Sequence, residues 1–193
     1  GKKFIGKDNI SLILGDNFFY GQSLSEKLKR ASKLKKGAII FSYPVKNPSR
    51  FGVVTVKGKK IVSLIEKPRN TNSNLAITGL YFFDNSVIKK TLSLKNSKRN
   101  ELEIIDLLKM YKKNNLLKTE ALGRGAAWLD AGTIEDFNQT SLFVSAIEKR
   151  QGLKIACLEE IAFFNKWINK NKLREAISFY GNCDYSKYLR GLF

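Results

Sequence analysis

Two rhythms alternate along this chain. Short unbroken apolar runs, bounded by turn residues, are followed by stretches whose apolar residues recur every three or four positions. The runs at 10–15, 38–43 and 76–83 have the length and composition of buried strands, and 116–122 adds another. Runs at 51–56 and 60–65, split by a turn containing Gly58, predict a hairpin. Leu24, Leu28, Ala31 and Leu34 mark one face of a helix that Ser23 and Glu26 would open as a capping box and Gly37 would stop. Asp84 is placed to cap a helix carrying Val87, Ile88 and Leu92. A helix over 101–114 turns Ile104, Ile105, Leu108 and Tyr111 inward, and Thr133 and Asp136 open one that runs to about Arg150 and ends at Gly152. Residues 153–193 read as short helices rich in Phe, Trp and Tyr.

Strand, helix and strand at the start predict a βαβ unit. The fold class is therefore α/β, with a sheet that is at least partly parallel and covered by helices on both faces. The runs at 10–15, 38–43 and 76–83 are expected to be its central strands. There is no internal repeat and no low-complexity linker. The composition shifts only near 152, where strands cease, so the expected division is 1–152 and 153–193.

Charge alters this picture less than its size suggests. The net charge is +18, from 35 basic and 17 acidic residues. Such a balance first suggests nucleic acid, but a binding groove concentrates Arg and aromatics. Here Lys outnumbers Arg and is spread over the polar sides of the helices, so the lysines of 27–36 and 109–113 are expected to face solvent. No apolar run approaches the roughly 20 residues that span a membrane, and the start has no secretory pattern. With two cysteines and no histidine, zinc sites and His-dependent catalysis are not expected. A cytoplasmic protein that binds neither membrane nor nucleic acid is the expectation.

Candidate chemistry lies at the strand ends, where α/β sheets bind their ligands. Asp16 follows Gly15 at the exit of the first apolar run, within "LILGDNFFYG". Asp130 lies near the end of the glycine-punctuated stretch "GRGAAWLDAG", read as a loop. Asp16 alone reads more readily as a turn cap and Asp130 alone equally so; together they are two hard oxygen ligands of the kind Mg²⁺ takes alongside phosphate and water. In "IEKP", Glu66 can accept hydrogen bonds from a polyol and Lys67 can neutralise a phosphate, while Pro68 ends the strand. Gly52, after Arg50 and Phe51, lets a ligand approach backbone amides. Gly79 and Tyr81 fall in a strand, and Arg99 precedes a helix whose free N–H groups would favour phosphate.

Seven stretches together resemble the sugar-nucleotidyltransferase family. They are "LILGDNFFYG", "NPSRFGVV", "IEKP", "TGLYFFD", "NELEIIDL", "GRGAAWLDAGT" and "IEKRQGLKIACLEEIAF", in the family's order and spacing. The resemblance implies a Rossmann-like α/β domain with a mixed sheet, here without its first strands, and a small helical segment used in assembly. It implies transfer of a thymidylyl group from dTTP to glucose 1-phosphate, and a homotetramer. On the same resemblance, Asp16 and Asp130 hold Mg²⁺, and Glu66 and Gly52 hold the glucose with help from the backbone at Phe51 and Ile77. Lys67 meets the sugar phosphate, Arg99 adds positive charge there, and Tyr81 and Trp128 line the sugar pocket. Phe51 stands where the family pattern has tyrosine.

The family's glycine-rich nucleotide loop and its base-reading segment do not occur in these residues, so the expectation is the C-terminal two-thirds of a longer enzyme, inactive by itself. Two other readings stay open: the same chemistry on another nucleotide or sugar, and a binding module without catalysis, either a sugar-phosphate binder or a basic partner of nucleic acid.

Overall fold

A computed structural model describes residues 1–97 and 100–193. By internal contacts it divides into two compact units, Gly1–Phe137 and Asn138–Phe193. The division falls near the start of a long helix, whereas the composition shift at 152 falls at that helix's end.

The first unit is built on β6 (Leu75–Phe83), in which every residue after Leu75 is buried. With β1 (Ile10–Ile13), β3 (Ala38–Pro44), β4 (Gly52–Lys57), β5 (Lys60–Glu66) and β7 (Leu117–Ala121) it forms a six-stranded sheet. The order is β5-β4-β6-β3-β7, with β1 also beside β6. β3 and β7 are parallel; every other pair is antiparallel. β1 and β3 both run opposite to β6, which lies between them, so the expected strand–helix–strand unit is present with an antiparallel strand inserted. Its helix is α2 (Leu24–Ala31), after a first short turn of helix, α1 (Lys2–Ile5).

Side-chain alternation along β6 splits the core in two. Ile77, Tyr81 and Phe83 join Ile40, Val54, Leu64 and the inner face of α4 (Ile104–Lys113), namely Ile105, Leu108 and Tyr111. Ala76, Leu80 and Phe82 join Ala31, Phe41, Leu122 and Trp128 on the other face. Each fully buried large side chain contributes about 1.5–3 kcal/mol, which explains why the continuous apolar run at 76–83 becomes the spine of the sheet.

Four expectations change. The first strand is not central: it holds the far end of β6 on the side that β4 uses nearer Ala76, and Leu12, Ile13 and Leu14 remain 36, 57 and 43% exposed. Ser23 precedes α2 but makes no side-chain cap bond, so its capping box does not form. Lys27 does not point freely to solvent, since its ammonium lies 2.9 Å from Glu120 Oε1 and donates to the Ala121 carbonyl; Lys29, Lys33, Lys35 and Lys36 are exposed. Finally, the stretch 123–132 is not all loop. Ala126–Asp130 is a strand, β8, which pairs antiparallel with β2 (Asn17–Gly21) as a separate two-stranded ribbon.

Asp84, expected as a helix cap, is buried just ahead of α3 (Val87–Leu92). It accepts from the Gly37 N–H at 2.6 Å, from Tyr111 Oη at 3.0 Å, and from the N–H and hydroxyl of Ser86. Burial alone would raise its pKa, but these four donors hold it below the ordinary carboxylate value.

α5 (Ile134–Gln151) is opened by Thr133, whose hydroxyl accepts from the Asp136 N–H at 3.1 Å. In the second unit α6 (Leu158–Phe164), α7 (Lys170–Tyr180) and α8 (Asp184–Arg190) close around Cys157, Leu173, Ile177 and Leu189. Among the described residues no helix is long and apolar enough to cross a membrane.

Candidate active site

The site grows from an irregularity in the sheet. Ile40 pairs with Tyr81 and Ser42 with Ile77, so Thr78, Gly79 and Leu80 of β6 lie opposite the single residue Phe41. The bulge takes backbone groups out of the ladder, and side chains satisfy them. Thr78 Oγ1 donates to the Phe41 carbonyl at 3.1 Å, and the Gly79 N–H donates to Asn17 Oδ1 at 2.8 Å.

Asn17 is the hub. Its Oδ1 also accepts from Trp128 Nε1 at 2.7 Å, while its Nδ2 donates to Asp16 Oδ1 at 2.8 Å. The β2–β8 ribbon sets Asn17 opposite Asp130, and the Ala131 N–H donates to the Asp16 carbonyl at 2.7 Å. Both acids thereby reach one spot. The position a Cβ on Gly132 would take is 3.1 Å from Asp130 Oδ1 and 3.6 Å from Asp16 Oδ2. Burial raises the pKa of Asp130, and the negative charge of Asp16 raises it further, against a 3.2 Å hydrogen bond from the Gly132 N–H. Two carboxylates so arranged are a like-charge pair that a cation would relieve.

The second part of the site is the end of the β4–β5 hairpin. Gly52 is paired with Glu66, and a methyl on Gly52 would come within 3.2 Å of Glu66 Oε2. Tyr81 is buried and feels the charge of Glu66; burial, then that charge, drives its pKa well above the ordinary phenol value. Lys67 is exposed and sits at φ +39°, a strained backbone for a residue with a side chain, just before the buried Pro68. Its N–H donates to the Phe51 carbonyl at 3.1 Å. Phe51 joins the two parts, since its ring lies 5.0 Å from that of Trp128.

The structure thus gathers Asp16 with Asp130, and Gly52 with Glu66, Lys67 and Tyr81, and connects the groups through Phe51. It does not bring Tyr81 and Trp128 together, because they lie in core clusters on opposite faces of β6. Ile77 is buried in the Tyr81 cluster, where its backbone pairs with Ser42. Arg99 lies outside the described residues. Asn17 is the residue the sequence reading passes over; the only signal for it is the amide directly after Asp16. Gly79 owes its identity to Asn17, since a Cβ there would lie 2.6 Å from the amide carbon and oxygen. Gly79→Ala is expected to cost about 1–3 kcal/mol and to change Trp128 fluorescence by displacing the Asn17 acceptor. A thermal melt followed by intrinsic fluorescence reads both effects.

The chain belongs to the nucleotidyl transferase family, whose model matches residues 1–146. A curated relative from Neisseria meningitidis serogroup A, a glucose-1-phosphate thymidylyltransferase, is 47% identical over 190 residues, covering 98% of this chain and 66% of its own length. A protein of the same name from Mycobacterium tuberculosis is 42% identical over 190 residues, with the same coverage. The chain therefore spans just under two-thirds of these relatives. A crystallised Bacillus anthracis protein assigned as a glucose-1-phosphate thymidylyltransferase, in complex with a sucrose, is similar with a TM-score of 0.66 at 33% identity, over 73% of this chain and 56% of that one. A UDP-glucose pyrophosphorylase complexed with UDP-glucose shares the fold, with a TM-score of 0.65 at 22% identity over 78% of this chain and 60% of its own.

Proposed function

We propose that this chain is the sugar-binding and metal-binding part of a glucose-1-phosphate thymidylyltransferase, which makes dTDP-glucose and pyrophosphate from dTTP and glucose 1-phosphate. The observation that carries the reading is the meeting of Asp16 and Asp130 at one spot, linked through Asn17, Trp128 and Phe51 to the Gly52–Glu66 edge. The relatives' names supply the acceptor, glucose 1-phosphate, and the thymidylyl group transferred.

The donor set fits Mg²⁺. Two carboxylates of like charge are hard oxygen ligands, one of them with its pKa raised by burial and by the other's charge. Among the described residues no group of three or more metal-ligating side chains gathers. Mg²⁺ typically takes one or two protein carboxylates, with water and phosphate in its other positions. When bound, Mg²⁺ supplies charge neutralisation for the phosphates.

The remaining roles fall to the chain itself. Glu66 and the backbone at Phe51, Gly52 and Ile77 hold the sugar hydroxyls. Lys67, exposed at a strained turn, meets the sugar phosphate, and Arg99 adds charge there. Trp128 supports Asp16 through Asn17, and Tyr81 feels the charge of Glu66. The phosphate oxygen of glucose 1-phosphate then attacks the α-phosphorus of dTTP in line, and pyrophosphate leaves. No covalent intermediate is needed, so the protein acts by alignment and charge.

The test is to incubate the full-length protein with glucose 1-phosphate and either dTTP or UTP, with Mg²⁺, and separate the nucleotide sugars by chromatography. Formation of dTDP-glucose in preference to UDP-glucose is expected. Preference for UTP would reassign the nucleotide, and binding without turnover would reduce the chain to a binding module.

A further inference from the structure

Arg50 ends the short 3₁₀ turn Pro48–Arg50, directly before Phe51 and Gly52. Its Nη2 lies 2.6 Å from Asp136 Oδ2, in the first turn of α5. The same carboxylate oxygen accepts from Thr133 Oγ1 at 2.8 Å, and Thr133 Oγ1 accepts from the Asp136 N–H. Asp136 is thus tied to the loop Asp130–Thr133, in which the Gly132 N–H holds Asp130 Oδ1. In the other direction, the Arg50 guanidinium sits 5.7 Å above the Phe51 ring, which packs on Trp128, which donates to Asn17, which donates to Asp16. One ion pair therefore reaches both acids, Asp130 through the α5 turn and Asp16 through the aromatic pair.

Charge effects agree with this geometry. Asp136 has its pKa lowered, first by the hydrogen bond from Arg50 and then by that from Thr133. Arg50 is raised by the same bond and by the charge of Asp136, and more weakly by Asp130 and Glu135. Asp130 in turn feels Asp136 and Arg50 with opposite sign. Both partners of the pair are half-open to water, Arg50 at 52% and Asp136 at 28%, and exposed pairs contribute little to stability. The worth of this one lies in where it holds its neighbours.

We infer that Arg50 and Asp136 are positioning residues whose ion pair fixes the sugar-binding edge at Phe51–Gly52 relative to the Asp16–Asp130 pair. The inference rests on the proposed function for its meaning in catalysis, but not for its structural content. Neither side chain needs to touch substrate.

The experiment compares full-length parent, Arg50→Met, Asp136→Asn and the charge swap Arg50→Asp with Asp136→Arg. Two readouts are used: the indole N–H resonance of Trp128, assigned with Trp128→Phe, and kcat and KM for glucose 1-phosphate. Each single variant should move or broaden the Trp128 resonance and lower kcat/KM by about 10–100-fold, the usual effect of removing a supporting residue. Melting temperature should stay near the parent's, and the swap should recover both readouts. An unmoved Trp128 resonance in both single variants would overturn the inference. So would loss of turnover in Arg50→Met with parental behaviour in Asp136→Asn, which would make Arg50 a direct ligand contact. A swap that recovers neither readout would also overturn it. If the parent makes no nucleotide sugar, the proposed function fails, and the Trp128 resonance still decides the inference.

Discussion

Asp130→Asn in the full-length protein should lose about 100-fold or more of nucleotidyl transfer and yet be no less stable than the parent at neutral pH without metal. Asparagine keeps the oxygen that accepts from the Gly132 N–H but not the charge. Asp130 has its pKa raised in the fold by burial and by Asp16. An acid whose folded value lies above its unfolded value is disfavoured when charged, so the cost is present at neutral pH and is relieved as pH falls through the raised value. The variant's advantage in stability should therefore be largest near pH 7 and shrink on acidification. Asp16→Asn removes only the second cause, so its gain should be smaller and its loss of activity similar. Melting curves at pH 7 and pH 4 beside a product assay read all of this. A variant as active as the parent would leave Asp130 no more than a turn residue.

Gly37→Ala should be strongly damaging to the α/β unit, at roughly 3–5 kcal/mol from overpacking and backbone strain together. Gly37 has φ +98°, and a Cβ there would sit 2.3 Å from the Leu116 carbonyl oxygen. Neither side can yield, because that oxygen accepts from the Ala38 N–H at 2.8 Å, where β3 and β7 begin their parallel pairing. The Gly37 N–H is also held by buried Asp84. Domains are stable by about 5–15 kcal/mol, so the variant should denature at a much lower urea concentration. A midpoint within error of the parent would mean that the Gly37–Leu116 junction is looser than described.

Local pattern reaches part of this structure. The run at 76–83 reads as a strand because its residues serve two cores, and the paired turn at Thr133 and Asp136 reads as a helix start because both bonds are local. The β2–β8 ribbon does not read, since each strand is short and is held by a partner far along the chain. That ribbon brings Asp16 and Asp130 together, so the sequence suggests the pair of acids but not the strand pairing that joins them. The exposure of β1 is equally invisible, because its apolar residues resemble those of a buried strand while one side of it carries no partner among the described strands. Asn17 escapes notice for a related reason: its bonds to Gly79 and Trp128 exist only once the bulge in β6 and the ribbon have formed.

Whether Asp16 and Asp130 together hold a divalent cation is decided by titrating Mn²⁺, as a paramagnetic stand-in for Mg²⁺, into the full-length protein saturated with dTDP-glucose. Free Mn²⁺ is followed by electron paramagnetic resonance for the parent, Asp16→Asn and Asp130→Asn. One bound ion is expected in the parent, and an affinity weakened by more than 10-fold in each variant, beyond the lower end of what loss of a mere supporting residue brings. Equal affinity in all three proteins would contradict a shared ion.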